Sequence, residues 1–148
     1  MSIEKDIHQK TFTNNRQKAI VNLLFTHGWL LEKIKDFLSR EGITPQQFNI
    51  LRILRGSHPK PLSTLQIRER MLDKASDTSR IVDRLMLKEL AHKGTCKMDK
   101  RLVDVTITEK GQELLKRLDA VSDQMDNIIN LTEEEAESLS NLLDNMRS

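Results

Sequence analysis

Apolar residues recur at intervals of three and four along much of the chain, which is the pattern of helices that bury one face. The first such stretch runs from about Asn15 to Ser39. A second helix is predicted to begin at Thr44-Pro45 and to stop near Gly56, because threonine can cap a helix, proline suits its first position and Gln47 completes a capping box. The first helix, at about seven turns, carries more apolar surface than one small domain can cover, so the sequence predicts a partner subunit.

Two shorter helices separated by a few residues are predicted in the middle of the chain. The first opens at residues 63–66, Ser-Thr-Leu-Gln, a second capping box, and Leu65, Met71 and Leu72 are expected to face the core. The second is expected from about Ser76 to Glu89. Its inner face is predicted to consist of Thr78, Ile81, Val82 and Leu85. Such a pair predicts a helix-turn-helix motif.

The period of the apolar residues changes to two after Leu90. Residues 91–97 and 103–108 are predicted as strands, since Val103, Val105 and Ile107 alternate with polar residues and β-branched residues favour strands. A charged tip, residues 98–101, joins the two. The resulting β-hairpin directly follows the second helix of the pair and is interpreted as a wing.

Two more helices are predicted after the hairpin. Thr108 can cap one that runs from about Glu109 to Ile129, and the segment Thr132–Glu135 is a start signal for the last. The predicted fold class is therefore mainly α with a small β-hairpin wing, a winged helix-turn-helix with N- and C-terminal dimerisation helices. We expect one domain over residues 1–148, with a winged-helix lobe at about 60–108 and dimerisation helices at about 1–40 and 109–148.

Charge is distributed unevenly, although the net charge of the chain is only +2. Residues 60–101 carry eleven Lys and Arg against six Asp and Glu, whereas residues 109–148 carry four against ten. A basic middle predicts that this part meets a polyanion and that the acidic end does not. The charge distribution alone is equally compatible with Lys and Arg side chains that only keep exposed helix faces hydrated and bind no polyanion.

The sequence offers few candidate residues for disulfide formation, membrane insertion, metal binding or catalysis. The single cysteine, Cys96, cannot form an internal disulfide, and no apolar run approaches the roughly 18 residues of a membrane span, so a cytoplasmic protein without a membrane partner is expected. His92 and Cys96 lie four residues apart but lack further ligands, so no metal is expected and Cys96 is interpreted as a surface thiol rather than a redox sensor. No nucleophile and base, acid pair or glycine-rich phosphate loop predicts an enzyme, and no cofactor is expected.

Two stretches of the sequence resemble the MarR family of bacterial regulators. Residues 80–85, Arg-Ile-Val-Asp-Arg-Leu, followed by Lys-Glu-Leu at 88–90, resemble the recognition helix of that family. Asp-Lys-Arg at 99–101 and Val-Thr-Ile-Thr-Glu-Lys-Gly at 105–111 resemble its wing and next helix. The sequence departs from the family pattern in two ways. Glu89 stands where the family usually has glycine. Lys93 and Lys100 stand where arginine is common, which keeps the positive charge but loses the planar guanidinium.

At about 100° per residue, the outer face of the second helix of the pair is centred on Ser76, Arg80 and Asp83. The resemblance implies that this face enters the major groove of double-stranded DNA. The alternative is that Asp83 forms only a surface ion pair with Arg80 or Arg84 on the same helix. The resemblance also implies that Arg101 enters the adjacent minor groove while Asp99 holds the arginine in place. Ser63 and Thr64 can bind a phosphate at a helix start, although capping alone explains them equally well. The expected DNA-contacting residues are Ser63, Thr64, Ser76, Asp77, Ser79, Arg80, Arg84, Lys93, Lys97, Asp99, Lys100 and Arg101.

Partners follow from the same resemblance. The terminal helices of two chains are expected to interlace in a homodimer, which predicts a pseudo-palindromic DNA site. The resemblance also implies a ligand-responsive repressor. A small anionic or aromatic effector is compatible with His27 and Trp29 on the first helix, although packing in the dimer interface explains these two residues more simply. The alternative function is a winged-helix module that binds an acidic protein through the same basic surface.

Overall fold

Eleven helices and strands make up the part of the chain that the computed structural model describes, which is residues 1–95, 97–99, 101 and 103–148. In chain order they are α1 (Ile3–Asp6), α2 (Asn15–Ser39), α3 (Pro45–Ser57), β1 (Leu62–Ser63), α4 (Thr64–Arg70), α5 (Thr78–Leu87), β2 (Ala91–Thr95), β3 (Val103–Ile107), α6 (Glu109–Asp119), α7 (Ser122–Asp126) and α8 (Glu133–Arg147). The predicted fold class, mainly α with a small β-hairpin wing in a winged helix-turn-helix, is confirmed. Among the described residues, no helix combines the length and the apolar character that a membrane span requires.

Local capping determines where the helices start. The Thr44 hydroxyl accepts a hydrogen bond from the Gln47 N–H at 3.1 Å, while the Gln47 side chain accepts one from the Thr44 N–H at 3.2 Å. Ser63 with Gln66, and Thr132 with Glu135, form the same reciprocal pair. Each pair satisfies two backbone N–H groups that the first turn leaves free. The two predicted capping boxes and the predicted start of α8 are therefore confirmed. Helix α2 also has the predicted bounds.

The sheet has three antiparallel strands in the order β1-β3-β2. Strands β2 and β3 form the predicted wing, with Ala91 opposite Ile107 and Thr95 opposite Val103. Strand β1 is only two residues long and pairs Leu62 with Val105. The sequence did not predict β1, because two residues are too few to show an alternation.

The core lies where α3, α4, α5 and α6 pack around the sheet. Its fully buried side chains include Leu38, Ile50, Leu51, Ile67, Leu85, Val105 and Leu115. Only the C-terminal end of α2 reaches this core, and none of the fifteen described residues of α8 is buried. Helix α8 and most of α2 therefore lie outside the main hydrophobic cluster.

The predicted inner face of α4 is partly wrong. Leu65 is 62% exposed and Leu72 is 89% exposed, whereas Ile67 and Met71 are buried. Ile67 and Met71 are four residues apart and so lie on one side, while Leu65 lies about 200° from Ile67. Leu72 follows the extended C-cap residue Met71 and is no longer on the helix.

The predicted helix from Glu109 to Ile129 is also wrong, because it is broken into α6 and α7. Val121 has φ −122° and ψ 23°, outside helical values, and its N–H donates to the Leu118 carbonyl in a tight turn. The break lets Val121 and Met125 both pack against the core. Neither glycine nor proline marks this break in the sequence, so only packing reveals it.

Candidate nucleic-acid interface

Helix α5 is the second helix of the predicted pair, and it is shorter than the sequence suggested. It begins at Thr78, and Asp77 is its N-cap, accepting a hydrogen bond from the Arg80 N–H at 3.2 Å. Ser76 and Asp77 therefore precede the helix rather than lying on its outer face. The buried face is as predicted, with Val82 and Leu85 at its centre.

The outward face of α5 carries exposed Ser79, Arg80, Asp83 and Arg84. The Arg80 Nε lies 3.9 Å from an Asp77 oxygen, and both side chains are well exposed, so this pair contributes little and leaves the guanidinium available. Among the described residues, the ion-pair partner of Asp83 lies on the wing and not on its own helix. Asp83 accepts a hydrogen bond from Lys93 Nζ at 3.1 Å, which joins the helix to wing strand β2.

A non-glycine residue closes the C-terminal end of α5. Glu89 has φ 60°, in the left-handed region, and its N–H donates to the Met86 carbonyl at 2.9 Å. The Leu90 N–H donates to the Leu85 carbonyl at 3.0 Å. These two bonds form a Schellman motif, which usually has glycine at the position of Glu89. The departure from the family pattern leaves the turn intact and places strain at Glu89.

Glu89→Gly is expected to raise the free energy of unfolding by about 1 kcal/mol, because glycine adopts left-handed backbone without the strain of a Cβ. Urea denaturation measures the difference. Glu89→Ala is the matched control, since it removes the same side chain, including its 3.5 Å contact with Lys110, but keeps the Cβ. An alanine variant as stable as the glycine variant would contradict the strained turn.

The wing tip presents one arginine in a defined orientation. The Arg101 Nε and one terminal nitrogen each donate to the Asp99 carboxylate at 3.1 Å, and the Arg101 backbone N–H donates to it at 3.0 Å. These bonds lower the pKa of Asp99 below its usual range. The Arg101 side chain is nevertheless 89% exposed. The expected pairing of Asp99 with Arg101 is present. Lys97, four residues earlier in the chain than Arg101, is exposed.

Lys100 and Cys96 lie outside the residues that the structure describes. Lys93 lies on β2, where it is half-buried and engaged with Asp83. Ser63 and Thr64 lie at the start of α4, where Ser63 forms the capping box.

Lys88 is a residue that sequence reasoning missed. Its ammonium group donates to the Gly42 carbonyl at 2.6 Å and to the Gln47 side-chain oxygen at 2.9 Å. The loop after α2 and the start of α3 are thereby tied to the C-cap of α5. Since 46 residues separate Lys88 from Gly42 in the chain, no local pattern could have predicted this contact.

The two residues considered for an effector lie on α2. His27 is exposed and Trp29 is half-buried. A cleft of about 410 Å³ lies elsewhere, between α4 and the start of α5. Within the described residues, no three His, Cys, Asp or Glu side chains are grouped so as to hold a metal ion.

A helix-turn-helix followed by an antiparallel hairpin with a basic tip defines a winged-helix DNA-binding protein. No protein-family model matches the sequence. The HTH-type transcriptional regulator MhqR of Bacillus subtilis is 27% identical over 133 residues, which cover 88% of this chain and 90% of MhqR.

Two MarR proteins are among the solved structures that are similar to the chain. The MarR transcription factor of Planctomyces limnophilus is 30% identical with a TM-score of 0.69, over 93% of this chain and 97% of that one. A mutant MarR of E. coli, solved with operator DNA, shares the fold at 22% identity with a TM-score of 0.77, over 92% of this chain and 99% of that one. The chain belongs to the MarR family of winged helix-turn-helix transcriptional regulators, and it is a DNA-binding regulator of transcription.

Proposed function

We propose that a homodimer of this regulator binds a pseudo-palindromic site, with α5 of each chain in the major groove and each wing tip in the adjacent minor groove. The observation that carries the proposal is Arg101, which is highly exposed yet oriented by two hydrogen bonds to Asp99. A fixed guanidinium loses little conformational entropy on binding and suits the negative potential of a narrow minor groove.

The roles of the remaining residues follow from their positions. Ser79 and Arg80 lie on the exposed face near the start of α5, where a helix in the major groove reaches base edges. Arg84 and Lys97 carry exposed charge suited to phosphate. The other predicted residues are proposed to contact the DNA backbone or to position the residues that contact it. They are Ser63, Thr64, Ser76, Asp77, Lys93, Asp99 and Lys100.

Dimerisation is supported by apolar side chains that one chain leaves exposed. On α2 these are Ile20, Leu23, Leu24 and Phe25, and on α8 they are Leu139, Leu142 and Met146. Burying apolar area contributes about 25 cal/mol per Å², and a second copy of the chain offers the same faces for burial. A two-fold dimer then presents its two α5 helices about one DNA turn apart, which matches a pseudo-palindromic site.

The proposal predicts salt-dependent and sequence-selective binding. Fluorescence anisotropy with a duplex selected from random DNA is expected to show two chains per duplex. Affinity should fall about a thousandfold or more between 50 and 200 mM salt, because several basic side chains from each wing release counterions. A scrambled duplex of equal length and base composition is the control. Equal affinity for both duplexes at physiological salt would instead support a module that binds an acidic protein.

A small anionic or aromatic effector is proposed to act at α2, beside His27 and Trp29. Trp29 is the only tryptophan of the chain, so its emission reports directly on that part of the helix. Binding is expected to change the Trp29 emission and to lower affinity for the selected duplex, and His27→Ala is expected to weaken both effects. An effector that releases DNA without changing the emission would place its site elsewhere.

A further inference from the structure

Two side-chain hydroxyls at the start of α5 have no hydrogen-bond partner among the residues that the structure describes. They are Ser76 Oγ and Thr78 Oγ1, both buried from solvent. Thr78 as a whole is only 5% exposed. Since a buried hydroxyl without a partner destabilises the fold, two together call for a ligand or a functional reason.

Both hydroxyls belong to residues that line the cleft between α4 and α5. This cleft, of about 410 Å³, is also lined by Thr64, Arg68, Asp77 and Ser79. Helix α5 has ten residues, and the N–H groups of its first positions have no partner within the helix. Arg68 is exposed, and no described carboxylate lies within 4.0 Å of its guanidinium.

The chemistry of the cleft favours an oxyanion. Hydroxyls, N–H groups and a guanidinium all donate hydrogen bonds, and the positive end of the α5 dipole adds to their attraction for an anion. The one carboxylate that lines the cleft, Asp77, is engaged by the Arg80 N–H and lies 3.9 Å from the Arg80 guanidinium. Threonine on a helix populates two χ1 rotamers, so the Thr78 hydroxyl can turn toward a ligand.

We propose that this cleft binds one phosphate of the DNA backbone, paired with Arg68 and hydrogen-bonded by Ser76 and Thr78. The inference rests on the proposed function and adds Arg68 and Thr78 to the interface. A backbone phosphate is favoured over a free one, because the cleft is open and adjoins the start of the helix that enters the major groove. Bound there, the phosphate positions α5 and carries no sequence information.

Thr78→Val and Arg68→Gln test the phosphate site. Valine keeps the shape of threonine, so Thr78→Val is expected to fold with unchanged or higher thermal stability and to bind DNA about 3- to 30-fold more weakly. Arg68→Gln is expected to weaken binding and to reduce the salt slope by about 0.9 per site. Both losses should be equal on the selected and scrambled duplexes. Arg70→Gln, an exposed arginine on the same helix that does not line the cleft, is the control.

The source of the phosphate is tested by methylphosphonate substitution, one position at a time, in the selected duplex. At one position in each half-site, the methylphosphonate is expected to lower the affinity of the wild-type protein for the duplex. The same substitution should not lower the affinity of Arg68→Gln or Thr78→Val. If inorganic phosphate stabilises the free wild-type protein and no methylphosphonate has an effect, the cleft binds a free anion and the proposal is overturned.

Failure of the proposal differs from failure of the proposed function. A wild-type protein that binds no duplex overturns both. A wild-type protein that binds the selected duplex, with Thr78→Val and Arg68→Gln binding as tightly as Arg70→Gln, overturns the phosphate site alone. A large loss of stability in Thr78→Val would show an internal partner for the hydroxyl and would also overturn it.

Discussion

Arg101→Ala is expected to weaken binding to the selected duplex about 10- to 100-fold for each wing, or about 1–3 kcal/mol. The substitution removes a positive charge that Asp99 orients, and it leaves the Asp99 carboxylate unpaired close to the phosphates. The loss of one counterion-releasing group should also reduce the salt slope by about 0.9 per wing. Anisotropy titrations at several salt concentrations measure both effects.

Two variants separate charge from geometry at the wing tip. Arg101→Lys keeps the charge but cannot form the forked contact with Asp99, so it is expected to recover the salt slope but only part of the affinity. Asp99→Asn removes the acceptor charge and should weaken binding by releasing the arginine. The hydrogen bonds from Arg101 lower the pKa of Asp99, so the Asp99 carboxylate remains ionised from pH 8 to 5 and adds no pH dependence to binding in that range. An unchanged affinity of Arg101→Ala would refute the role proposed for this arginine.

Gly111→Ala is expected to destabilise the fold by about 3 kcal/mol or more. A Cβ at this position would lie 2.4 Å from the Leu90 carbonyl oxygen and 2.8 Å from Ile107 Cγ1. The Leu90 carbonyl accepts the Thr108 N–H at 3.1 Å, and Thr108 caps α6 through the Gly111 N–H. The backbone on both sides is therefore held by hydrogen bonds, and α6 would have to move away from the sheet.

Gly56→Ala is the matched control for this glycine. Gly56 lies within α3, and a Cβ there would meet no heavy atom of the described residues within 4 Å beyond its chain neighbours and the adjacent helical backbone. Alanine at position 56 is expected to raise stability by about 0.5–1 kcal/mol. Chemical denaturation of both variants gives the comparison. If Gly111→Ala is as stable as the wild type, the close packing of α6 against Leu90 is incorrect.

The candidate site was predictable from the sequence where its signals were local. Asp99 and Arg101 are two residues apart at the tip between two strands that alternation marks, and the resemblance to the MarR family implied their pairing before the structure. Lys88 and Gly42 are far apart in the chain, and their contact exists only because α5 packs beside the loop after α2. The partnerless Thr78 hydroxyl was equally hidden, because a threonine on an inner helix face was expected and its partners depend on neighbouring elements.

The sequence by itself determined where most helices begin, where the wing lies and which part of the chain is basic. These features depend on contacts between residues three or four apart or on the period of the apolar residues. Both signals involve residues that are close together in the sequence, so the sequence alone shows them. The tertiary structure decided that Leu65 faces solvent while Ile67 is buried, and that the chain breaks at Val121. It also decided that the start of α5 meets α4 across a cleft lined by two partnerless hydroxyls. These outcomes depend on how segments that are far apart in the sequence pack together in one core. Such packing produces no repeating pattern of residues, so the sequence alone does not show it.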